Sequence, residues 1–150
     1  MIASLLLAAA LTAPAASPAD DFKTLCVATR GDVAAVTAAA AAQGVWSTPT
    51  EQDGLTIWTH TGDGVARTLF AGEQSAPDGK RQACAVTSQP AQPELTSGIT
   101  SVLGGVALPV QEGLYAYAPD EDAYRAGDVT FVQVTNEADA TTLAAIRPIR

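Results

Sequence analysis

From Leu55 onward the chain is written in short runs rich in β-branched and aromatic residues, each stopped by turn residues, and this punctuation excludes an all-helical fold. The runs are Leu55 to Thr61, Val65 to Ala71, Arg81 to Ser88, Gly113 to Ala118, Val129 to Thr135 and Thr141 to Ile149. Gly62-Asp63-Gly64 separates the first two, and the polar stretch Gly72 to Lys80 separates the second from the third. The last run is ambiguous, because Asn136 to Ile146 also fits a capped helix.

Ahead of Pro49 the period is different. Phe22, Leu25, Cys26 and Thr29 recur at i, i+3, i+4 and i+7, one face of a helix, with Ser17-Pro18 and Asp20-Asp21 as its acidic start. Asp32 is placed to cap the alanine-rich run Val33 to Gln43, and Gly44 stands where a helix-ending glycine belongs. That second helix is apolar almost all round, which predicts close packing along its length. Pro93 to Leu103, closed by Gly104-Gly105, predicts one further helix. The expected fold is α+β: an antiparallel sheet of five or six strands with an N-terminal helical pair and one further helix on one face, held by one disulfide. Helix then three strands, written twice, is compatible with an internal duplication. The likeness of Cys26-Val27-Ala28-Thr29 to Cys84-Ala85-Val86-Thr87 does not support it, since one falls on a helix and the other on a strand.

Residues 1–15 read as a signal peptide ahead of a single domain over 20–150. No charged side chain occurs from Met1 to Ala19, and the apolar run ending at Leu11 is about ten residues where a bilayer needs about twenty. Ala13-Pro14-Ala15 offers small residues for cleavage after Ala15, with Ala19 as the alternative, although the segment lacks Lys and Arg. Export to the periplasm or medium, with no membrane insertion after cleavage, gives the cysteines a meaning. Two cysteines in an oxidising compartment have one connectivity, Cys26 to Cys84, closing a loop of about 58 residues that would stabilise the fold by about 4 kcal/mol.

That contribution matters because the core is light. Apolar residues make up 47% of the chain, but about a fifth of all residues are alanine and only 5% are aromatic. The formal net charge of −8 repels phosphate backbones, so no nucleic-acid partner is expected.

The chemistry-bearing residues are sparse. His60 is the sole histidine, and no Gly-x-Ser-x-Gly accompanies it. Asp120-Glu121-Asp122 with Asp128 is the single acidic cluster, and Tyr124 and Arg125 occupy positions that a calcium loop would give to a ligand and a glycine. It reads as an acidic loop, so no metal is expected. Phosphate-cradling glycine motifs are missing, so no cofactor is expected either. The aromatic residues are more suggestive: Tyr115 and Tyr117 share one strand face, and Trp58 alternates with Leu55 and Ile57. Trp58, Tyr115 and Tyr117 are the candidate binding face, taken as the side of the sheet that helices leave open. The expected function is a non-enzymatic periplasmic or secreted module that binds a protein, peptide or envelope component. The alternative is a small periplasmic hydrolase using His60 with a carboxylate.

Phe22-x-x-x-Cys26 followed by Gly31-Asp32, an alanine-rich helix ending in Gly44-Val45-Trp46, and a second cysteine in a later strand resemble small secreted proteins of alphaproteobacteria. The resemblance covers about the first 90 residues. It implies export and a disulfide, and carries no catalytic residue.

Overall fold

A computed structural model describes residues 17–60 and 65–149. Residues 1–15, read above as a signal peptide, and the turn Gly62-Asp63-Gly64 lie outside the described residues. Helix α1 spans Pro18–Phe22 and runs on into a π-helical segment, Lys23–Val27; α2 is Val33–Gln43, α3 Leu95–Leu103 and α4 Glu121–Arg125. The strands are β1 Thr50–Gln52, β2 Leu55–His60, β3 Ala66–Ala76, β4 Gly79–Gln89, β5 Val106–Gln111, β6 Leu114–Ala118, β7 Thr130–Asn136 and β8 Thr141–Pro148. They form one antiparallel sheet in the order β1-β2-β3-β4-β8-β7-β6-β5. No helix among the described residues is long and apolar enough to cross a membrane.

The α+β class holds, but the expected five or six strands are eight and the three helices are four. β1 and β5 are the missing strands, and both lie at sheet edges. β1 is three exposed polar residues, and β5 is interrupted by Pro109 beside a register shift, so neither reads as an unbroken strand. The ambiguous final run is a strand because β4 and β7 supply ladders on both its sides. The polar stretch after Ala71 also pairs, to Ala76 opposite Gly79, so one long hairpin replaces the expected loop. The acidic loop holds a short helix, α4, capped by the Asp120 side chain.

Strand order reads identically outward from the central β4–β8 pair. Each half is a helix followed by four strands, and antiparallel pairing at the centre relates the halves by an approximate two-fold normal to the sheet. The duplicated topology thus has one strand more per half than the sequence pattern suggests. α1 and its π-helical extension have no counterpart in the second half and contact both central strands.

Local chemistry explains the helices. Ser17 and Asp20 form a reciprocal capping box at α1, the Asp32 side chain accepts from the Ala35 N–H at α2, and Gly44 ends α2 with φ +69°. α2 departs from expectation in its packing: only Val36 and Ala40 are buried, so its alanines reflect helix propensity more than contact area. Phe22, Leu25 and Cys26 are fully buried against Leu69, Cys84, Val86, Val132 and Leu143. The Cys26–Cys84 disulfide is present and pins the π-helical segment to β4. At Gly31 the chain passes β4 so closely that an added Cβ would lie 3.3 Å from the Cys84 Cβ, with φ already at +70°.

Candidate binding face

Ala19 and Phe22 of α1 and the buried residues of the π-helical segment, α2 and α3 belong to one cluster with alternate residues of β2, β3, β4, β6, β7 and β8. That cluster defines an inner face. The other parity of each strand points outward, and cross-strand pairing arranges it in rows. One row is Leu55, Gly72, Ala83, Ile146, Phe131 and Ala116; the next is Ile57, Phe70, Ala85, Ala144, Gln133 and Leu114. The third is a ladder of threonines, Thr59, Thr68, Thr87, Thr142 and Thr135, directly opposite one another on five neighbouring strands. Thr87 and Thr142 are hydrogen-bonded at 2.9 Å between hydroxyls.

Charge is nearly absent from these rows. Among the described residues two carboxylates lie within strands, Glu51 and Glu73, and their partners Thr56 and Gln82 put both on the inner parity. Arg81 is the one charged side chain of outward parity, and it is paired with Asp78 in the adjoining turn. A chain carrying −8 overall therefore has, among the described residues, no strand carboxylate on this face, and the carboxylate that reaches it, Asp78, is paired with Arg81. Large residues flank small ones there: Ala83, Ala85 and Ala144 floor a shallow groove of about 280 Å³ between Phe70 and Ile146.

The aromatic residues expected on the open side are on the other one. Trp58 is 2% exposed and Tyr117 7%, both inside the core cluster, and Tyr115 donates its hydroxyl proton to the Thr96 carbonyl of α3. The correction has a simple cause: both parities of β2 and β6 are apolar, so alternation locates two faces without saying which one the helices cover. The residues that do face outward, Leu55, Ile57, Phe70, Leu114 and Phe131, were missed. Register offered a signal, because Cys84 must face the helix carrying Cys26, which sends Ala83 and Ala85 outward together with their cross-strand partners.

His60 is buried on the inner face opposite Arg67, its ring 5.6 Å from that of Trp46 and its Nδ1 without a hydrogen-bond partner. Asp21, a carboxylate within electrostatic reach of His60, is bonded to Arg67 at 2.5 Å. Burial lifts the Asp21 carboxyl above its ordinary value, and the Arg67 guanidinium offsets only part of that. A second ionic cluster lies near the sheet corner, where Asp128 accepts from Arg147 at 2.5 Å and from Arg30 at 2.9 Å. The Arg147 hydrogen bond, with Arg30 in support, holds the Asp128 carboxyl below its usual range. Both clusters tie the helical layer to the sheet. No group of three or more His, Cys, Asp or Glu among the described residues is arranged to hold a metal. Comparison of the chain with protein-family models, with curated proteins and with solved structures finds no match.

Proposed function

We propose that this chain is a non-enzymatic binding module, exported to the periplasm or medium, whose partner surface is the uncovered sheet face built on Phe70, Ala85, Ala144 and Phe131. The single observation that carries the reading is the contrast between a net charge of −8 and a face whose described outward strand residues include no carboxylate, its one charged side chain, Arg81, being neutralised by Asp78. Selection for solubility alone would place charge on such a face, and contiguous apolar surface on a soluble domain marks contact with something else. Export is supported by the uncharged apolar run before Ser17 and by the disulfide.

His60 lends the hydrolase alternative little support, since its ring is covered and its nearest carboxylate is held by Arg67. The experiment is a capture from envelope extract with immobilised wild-type protein beside Phe70→Glu and His60→Gln. Retention of a component by wild type and His60→Gln, and its loss on Phe70→Glu, is the expected outcome. Equal retention by all three would discard the face as the binding surface.

A further inference from the structure

We infer that the occupant of the uncovered face is a second copy of this chain, packed sheet against sheet; this rests on the binding-module reading and names its partner. Three observations select that occupant.

The first is shape and area. Strands about 4.8 Å apart and residues about 3.3 Å apart along them give the eight-stranded face an outline of roughly 700 Å². A stable interface needs about 800 Å² per partner at standard size and somewhat less at the low end. A face of that extent fits another sheet, stacked about 10 Å away, better than an extended peptide. Peptides add to sheet edges through backbone hydrogen bonds, and here β1 offers three residues while β5 is interrupted by Pro109.

The second is charge. Two molecules of −8 repel unless their contact surfaces are neutral, and the outward rows carry no carboxylate and only the Asp78-paired Arg81. An anionic bilayer would meet the same net charge without a compensating basic rim. It would also find no outward Trp or Tyr in the rows, where interfacial anchors are needed.

The third is self-complementarity. A two-fold axis along the β4–β8 seam, parallel to the strands, lays the threonine ladder of one copy on that of the other. The side chains of this row are short and uncharged, so it can lie over its own copy where a row of carboxylates or amines could not. The same axis sets Phe70 of one copy toward the Phe131 side of its partner, because the two halves lie on opposite sides of the seam.

Sedimentation equilibrium of the disulfide-bonded protein tests the inference, using wild type, Ala85→Glu at the centre of the face and Gln133→Glu at an exposed position in the same row. Wild type is expected at twice the protomer mass, and both variants at the protomer mass with unchanged circular dichroism. Gln133→Glu guards against loss of folding at the more enclosed Ala85. Wild type monomeric at hundreds of micromolar overturns the dimer, and so does a dimer indifferent to both substitutions. The capture experiment separates the two readings. A component retained in a Phe70-dependent way by monomeric wild type keeps the module while removing its self-association, and no such component removes both.

Discussion

Arg67 on β3 and Asp21 on α1 form an ion pair closed off from water, with each side chain at most 6% exposed, and it anchors the one helix that the second half of the molecule lacks. The pair is costly to bury and costlier to break.

Arg67→Met should destabilise the fold by about 3 kcal/mol or more, because it strands a buried carboxyl. The Asp21→Leu/Arg67→Met double variant should recover most of that loss in urea unfolding. The pH dependence has a defined sign: a carboxyl raised in the native state binds its proton more tightly there than in the unfolded chain. Stability from this site falls as pH rises from the ordinary carboxylate value through the native one. The Arg67→Met penalty should therefore be smaller at pH 5 than at pH 8.

Asp128 works in the opposite direction. Its carboxyl is depressed, so its contribution is complete above the unfolded carboxylate value and is lost as pH falls through the lower native one. Asp128→Asn should lower stability at neutral pH and flatten the acid limb of a stability profile between about pH 4 and pH 2. An unchanged acid limb would remove Asp128 from the tie between Arg30 and Arg147.

Reduction of Cys26–Cys84 should lower the melting temperature by several degrees, with a loss of about 2–5 kcal/mol. The non-reduced protein should weigh two hydrogens less than the sum of its residues. Thiols alkylatable in the native protein would contradict the disulfide.

Tyr117→Ala should act as a core truncation and cost about 3 kcal/mol or more, measured by thermal unfolding. A Tyr117→Ala variant as stable as wild type would return that ring to the surface.

On the proposal that the chain is exported, cleavage after Ala15 leaves the Ser17–Asp20 capping box intact, whereas cleavage after Ala19 removes the cap, Pro18 and a buried alanine. N-terminal sequencing of the exported protein should begin at Ala16. A start at Asp20 would mean that α1 forms without its cap, whose loss costs about 1 kcal/mol.

What the sequence by itself determined is local. The Asp32 cap and Gly44 stop of α2, the span of β2, β6 and β7 to within a residue or so, and the pairing of two cysteines follow from neighbours in the chain, because caps, turns and periods are set over a few residues. Tertiary structure decided everything that depends on what lies across the sheet. β1 and β5 are strands because β2 and β6 offer open ladders, not because their residues favour extension. Thr141–Pro148 is a strand because it fills the gap between β4 and β7. The side on which Trp58, Tyr115 and Tyr117 point, and the alignment of five threonines into a row, depend on register between segments up to some eighty residues apart. Large apolar residues on both parities of β2 and β6 are compatible with either face, and only the disulfide-anchored helix, by covering one of them, makes the other a surface.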